Sequence, residues 1–232
     1  MEKMNNLYKT PEFVQYMTER TDDSIESFNA QYGSASTDTT DTESLDVDEV
    51  LSAEDVAALK ENGVVYGPEN AKITILEFAD ANCGYCKRQI AQDKTVDAVM
   101  AQLPDDVNMI FKNFPIYNQT AAEAMACAED QMTAENYHEY VIAVFSAEDA
   151  SSVEALSTLA ANYGANAETL SACVNNGDKT AEVSATMSEG QSFGISGTPS
   201  SVIINNETGK YTLVPGAYPA ETFVEAIQAL LS

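Results

Sequence analysis

Ile73, Thr74, Ile75 and Leu76 follow one another without a polar break, so residues 72–78 predict a strand buried on both faces. Residues 107–114 predict the next strand. Between them, Ile90, Val96, Val99 and Leu103 mark the apolar side of a helix over 83–103, with Pro104 as its exit. From 119 to 193 the pattern is nearly all helical, with breaks at 133–135, 147–152, 163–166 and 175–178. Sheet returns at 201–205 and 211–214, which flank a turn at 206–209, and a helix over 219–231 follows. Strand, helix, strand, helices, hairpin, helix is an α/β order without internal repeat.

The first part of the chain is different in kind. Phe13, Met17, Ile25 and Phe28 outline a short amphipathic helix within 11–30, and 33–44 is almost wholly Ser, Thr, Asp, Ala and Glu, a linker composition. Over 52–62 a small helix is expected, capped by Ser52 and Asp55, with Val56 and Leu59 turned inward and Gly63 ending it.

A length of 232 residues and a hydrophobic fraction of 44% suit one folded domain with an appendage, and no run of about 18 apolar residues is present to cross a bilayer. A formal charge of -26, from 37 acids against 11 bases, excludes nucleic acid as a partner, since phosphates would be repelled. It predicts a solvated acidic face, with docking of basic clients as the sharper alternative.

Cys83, Gly84, Tyr85 and Cys86 place two thiols one helical turn apart where a strand hands over to a helix. Backbone N–H groups at that helix start favour thiolate over thiol on Cys83, and Lys87 and Arg88 are expected to add to the effect. Such a pair performs nucleophilic exchange through a mixed disulfide, with Cys83 as the exposed nucleophile and Cys86 as the buried resolver. Four cysteines, an even count, fit an oxidising compartment and leave the pairing open. The competing possibility is a four-thiolate zinc site completed by Cys127 and Cys173. These two are far apart and neither has a His or Cys beside it, so no metal is expected. His138, the single histidine, is expected on the surface or partly packed in a helix rather than as a ligand or base.

Three separated segments resemble the DsbA-like branch of the thioredoxin superfamily: Gly67-Pro68-Glu69-Asn70-Ala71 leading into Ile73–Phe78, then Cys83–Cys86, then Gly194-Ile195-Ser196-Gly197-Thr198-Pro199. The resemblance implies a thioredoxin fold with an inserted helical domain: 1–62 as the N-terminal appendage, 63–118 as the first half, 119–193 as the insertion and 194–232 as the second half. It implies a cis bond at Thr198–Pro199, with Tyr85, Thr198 and Pro199 receiving the client. Glu77 stands where the family often carries a buried acid able to relay the Cys86 proton, and Cys127–Cys173 matches a structural disulfide that staples the insertion.

The family also implies an enzyme that needs no cofactor beyond its own cysteines and acts on cysteine-containing client proteins. A membrane partner would reoxidise it, and its place would be extracytoplasmic, in the periplasm or cell envelope, or secreted. The N-terminus lacks the basic and apolar regions of a signal peptide, so export requires that a leader or anchor has been removed. Without an obvious dimerisation domain, a monomer is expected. Gly84-Tyr85, Thr198 and the 212–216 stretch resemble DsbC-type isomerases. Oxidation and isomerisation are therefore both expected activities, with a thioredoxin-like reductase and a non-catalytic binding module as alternatives.

Overall fold

A computed structural model describes residues 50–61, 63–148 and 150–232; the expected helix within 11–30 and the linker at 33–44 lie outside these residues. Helix α1 (Ala53–Glu61) begins with a reciprocal cap in which Asp55 N donates to Ser52 Oγ and Ser52 N donates to Asp55 Oδ2. Its Val56 and Leu59 are buried. The two expected central strands become β2 (Ile73–Ala79) and β3 (Val107–Asn113), each buried at every position and paired parallel to one another. β4 (Ser200–Asn205) lies antiparallel on the other side of β2, and β5 (Tyr211–Pro215) antiparallel on β4. β1 (Val65–Tyr66), which has no counterpart in the sequence pattern, adds an antiparallel edge to β3. The five-stranded order is β1-β3-β2-β4-β5, with β2 at the centre.

Alternation sorts the side chains of the sheet into two apolar layers. Ile75, Met109, Phe111, Ile203 and Val214 join the larger core. Leu76, Phe78, Ile110, Val202 and Ile204 pack with Val56, Leu59 and Ile195 in the smaller one.

The helix expected over 83–103 is two pieces. α2 starts at Gly84–Cys86 and runs on as a π-helical stretch, Lys87–Gln92, closed by Asp93 N on Arg88 O at 2.8 Å. Lys94 then turns left-handed (φ 46°, ψ 50°) before α3 (Thr95–Gln102). The step from Ile90 to Val96 overshoots the three-to-four spacing of a helical stripe, and the chain breaks within that gap.

The helical stretch between β3 and β4 resolves into α4 (Gln119–Glu129), α5 (Ala134–Ser146), α6 (Val153–Ala161), α7 (Ala167–Asn176) and α8 (Thr180–Ser192). Caps set the breaks: Asn118, Thr133, Ser152 and Asn166 each accept a backbone N–H of the helix that follows, and Gly177 closes α7 with φ 71°. Gly190 lets α8 lie directly on the sheet, because a Cβ there would come within 2.8 Å of Phe114 and 3.0 Å of Phe78. α9 (Ala220–Leu231) buries Phe223, Ala226, Ile227 and Leu230 along one stripe.

Candidate active site

Parallel pairing of β2 with β3 and antiparallel pairing of β4 bring the ends of β2, β3 and β5 and the start of β4 to one end of the sheet. Asp80, just past β2 and buried, ties these loops together. Its Oδ1 accepts from Asn82 N at 2.7 Å, and its Oδ2 accepts from Ile116 N and Tyr117 N, each at 2.6 Å. The Asp80 carbonyl accepts from Cys83 N at 3.0 Å. Sequence reasoning missed this residue. The turn from Asp80 to Asn82 is locally legible as an Asx turn, whereas the reach to 116 and 117 exists only in the folded chain.

Cys83 occupies the cap position of α2 in an extended conformation (φ -80°, ψ 121°), and Cys86 lies one turn on; both are free thiols. Cys83 keeps 8% of its surface exposed and Cys86 none. The Thr198–Pro199 bond is cis, and the Cys83 thiol donates to the Thr198 carbonyl at 3.3 Å.

Burial pushes the Cys83 thiol up, but the Thr198 side chain, the Cys86 N–H and thiol and the Tyr85 N–H together outweigh it and hold Cys83 below the ordinary thiol range. Burial pushes Cys86 well above that range, reinforced by the adjacent Cys83. The two thiols are thus made unequal by their surroundings.

Lys87 and Arg88 do not act on the thiols as expected. Lys87 Nζ donates to the Ala147 carbonyl at the end of α5 (2.8 Å), and Arg88 Nη2 donates to the Ala217 carbonyl (3.1 Å). The Arg88 guanidinium also lies over the Tyr85 ring at 5.3 Å. Both cations are committed to holding neighbouring loops, and the bias of Cys83 comes from hydrogen bonds. Tyr85 itself is 65% exposed, and a cleft of about 230 Å³ is lined by Thr198, Pro199, Leu213 and Pro215.

Glu77 is buried on β2 and accepts from Gln89 Nε2 at 2.7 Å, a contact set up by the π-helical stretch. Burial lifts its carboxyl to about 7, Gln89 pulling it down, Asp97 adding to the rise and His138 opposing it. The groups that shift Cys86 are Asp80, Thr198 and Cys83, and Glu77 is not one of them. His138 is not on the surface: it is buried, with Nε2 at 2.7 Å from Asp97 Oδ1 and its ring stacked on Tyr66 at 3.9 Å between centroids. The signal was present, because His138 shares a helical face with Val141, Ile142 and Phe145.

Cys127 of α4 and Cys173 of α7 are joined to each other, with Cα atoms 6.1 Å apart, so they are not available to form a thiolate shell with Cys83 and Cys86. Among the described residues no cluster of three or more His, Cys, Asp or Glu side chains is arranged to hold a metal ion.

The family described as Thioredoxin matches residues 59–228. The chain belongs to the thioredoxin family. Solved structures share the fold of this thioredoxin-family chain. The thioredoxin-like oxidoreductase from Silicibacter pomeroyi DSS-3 is 24% identical, covering 75% of this chain and 95% of that one, with a TM-score of 0.63. Pseudomonas aeruginosa DsbA2 is 23% identical over 72% and 93%, with a TM-score of 0.58. Salmonella enterica Typhimurium BcfH is 20% identical over 99% and 93%, with a TM-score of 0.63. At these identities the likeness speaks for the fold, a DsbA-like thioredoxin fold with helices inserted between β3 and β4. No relative among the curated proteins matches.

Among the described residues Glu77 is one of two acids raised to about 7; the other is Glu129 at the end of α4, lifted by burial against the hydrogen bond from Tyr137 Oη (2.9 Å). From an ordinary value of 4.5 to about 7 the folded chain holds protons that the unfolded chain releases, so their contribution is whole below 4.5 and lost as pH rises through 7. Glu77→Gln is expected to reduce the loss of unfolding free energy between about pH 5 and about pH 8 by about 2 kcal/mol. Denaturant titration at the two pH values checks this, and an unchanged difference refutes it.

Proposed function

We propose that this chain is a thiol-disulfide oxidoreductase that forms or reshuffles disulfides in exported, cysteine-containing proteins. The inequality of its two thiols carries the proposal: Cys83 at the rim with its thiolate favoured, Cys86 enclosed with its thiol favoured. In the oxidising direction a client thiolate attacks Cys83 Sγ of the Cys83–Cys86 disulfide, the S–S bond breaks, and the electron pair leaves on Cys86, which takes a proton. A second client thiolate then attacks the mixed disulfide. The client disulfide forms and the electron pair of the broken bond returns to Cys83. Isomerisation uses the same first bond with Cys83 as attacker.

The client lies against Tyr85 and along the cleft beside Thr198 and Pro199, which suits an extended segment. Glu77 serves as the buried acid on β2, and Cys127–Cys173 is structural. An extracytoplasmic place, a monomeric state and reoxidation by a membrane partner complete the proposal. Among the described residues no helix is long and apolar enough to cross a membrane.

A glutathione redox titration, with mass spectrometry of alkylated peptides, tests it. Cys83–Cys86 is expected to open and close reversibly while Cys127–Cys173 stays linked, and a potential near about -120 mV marks an oxidant against about -270 mV for a thioredoxin-like reductant. A pair that fails to respond to glutathione overturns the proposal.

A further inference from the structure

A second polar site lies between the end of α4, the end of β3 and α8. Its inner part is a cavity of about 10 Å³ lined by Lys112, Asn113, Glu129, Glu182 and Thr186, room for one group the size of a water molecule. Glu129, Glu182 and Thr186 also line a cleft of about 280 Å³ that continues to Asp130, Lys179 and Glu189, so the two spaces are the inner and outer parts of one site. The cleft is smaller than the roughly 300–1,000 Å³ of sites for drug-sized ligands and fits a small molecule. Asn113, the last residue of β3, is 5% exposed and its Oδ1 has no protein partner. A buried acceptor left in this state calls for a donor.

The charges of the site are unequal. Lys112 Nζ lies 3.1 Å from Glu189 Oε1, and Lys179 Nζ lies 3.1 Å from Asp130 Oδ2 and 2.7 Å from Glu182 Oε2. Among the described residues Glu129 has no ion pair of this kind; its Oε1 accepts from Tyr137 Oη, which leaves its other oxygen as an acceptor. Thr186 Oγ1 donates to the Glu182 carbonyl at 3.1 Å and can still accept. The group that answers these acceptors is compact, singly positive and rich in N–H. A primary ammonium carries three N–H donors on one nitrogen, whereas a guanidinium is a planar fork too broad for the inner cavity. We propose that this site binds a small primary alkylammonium compound, with its nitrogen donating to Asn113 Oδ1, Glu129 and Thr186 and its carbon chain lying in the outer cleft. Asp130, whose side chain is 78% exposed, stands where a second ammonium of a short diamine would emerge. Besides Lys112 of β3, the charged and titratable groups facing Glu129 are Tyr137 of α5, Glu182 of α8 and Lys179 just before α8. Burial holds the Glu129 proton up to about 7, so a bound cation displaces that proton and binding tightens as pH rises through this value. The site uses neither Cys83 nor Cys86 and stands whether or not the exchange function does.

The test is calorimetric titration of the full chain with butane-1,4-diamine in about 0.15 M sodium chloride, which screens diffuse attraction to the acidic surface. One saturable site is expected, about tenfold tighter at about pH 8 than at about pH 6. Heat that does not saturate, or an affinity indifferent to pH, overturns the proposal. Glu129→Gln is expected to weaken binding about thirtyfold at the higher pH and to abolish the pH dependence, and Asn113→Ala to weaken it about tenfold. Unchanged affinity in either variant also overturns it. The unaltered chain carrying carbon-13 glutamate gives a second readout that does not depend on the variants folding. Saturating diamine is expected to lower the NMR titration midpoint of the Glu129 carboxyl by about one unit, and an unmoved midpoint refutes the site. Acetylated, amidated lysine is the comparison probe. Tighter binding of the diamine assigns a free amine, tighter binding of the lysine assigns a side chain of another protein, and binding of neither overturns the proposal.

Discussion

Cys83→Ser is expected to drop thiol exchange to the uncatalysed background in an insulin-reduction or thiol-oxidation assay, with the melting temperature nearly unchanged. Thiolate attack is the chemistry of exchange, and a serine hydroxyl at the same place stays protonated and forms no mixed disulfide. The substitution is nearly isosteric, so little packing is lost although Cys83 is only 8% exposed. Cys86→Ala makes the complementary case. It leaves Cys83 able to attack but removes the thiol that resolves the product, so client protein is expected to accumulate on Cys83 and to be seen as added mass. Retained turnover in Cys83→Ser removes Cys83 as the nucleophile.

Cys127→Ala is expected to lower the stability by about 4 kcal/mol, which for a domain of this size is a fall in melting temperature of about 10 °C. The bond closes a loop of 46 residues between α4 and α7, and cutting it restores that loop entropy to the unfolded chain. Turnover in the same assay is expected to stay near the starting value, because the bond lies in the insertion and the proposed redox pair is Cys83–Cys86. A melting temperature that does not move excludes the staple.

The central strands were legible because β-branched and apolar residues dominate β2 and β3, which are buried throughout, even though Glu77, Asn108 and Lys112 lie among them. The helical breaks were legible because Asn118, Thr133, Ser152 and Asn166 cap by local hydrogen bonds that sequence order already contains. Distance in sequence is what hid the rest. β1 is a pair of residues whose strand character depends on the partner β3, and the hold of Asp80 on Ile116 and Tyr117 joins loops that meet only after the sheet forms. Lys87 and Arg88 were read by proximity to the cysteines, but their side chains are long enough to reach past them to Ala147 and Ala217. The thiol pair was legible because a single helical turn brings both sulfurs together, whereas the surroundings of Glu77 required the π-helical stretch and two other helices.

The redox turn grows out of β2, the strand at the centre of the sheet, which is paired along its length with β3 on one side and β4 on the other. A client tethered through Cys83 and pulled outward loads β2 along its own axis, so the rows of hydrogen bonds on both sides bear the force in shear and share it. An edge strand such as β5 would peel one bond at a time under the same load. On the function proposed above, the fold anchors a covalently held client on the strand that is paired on both sides.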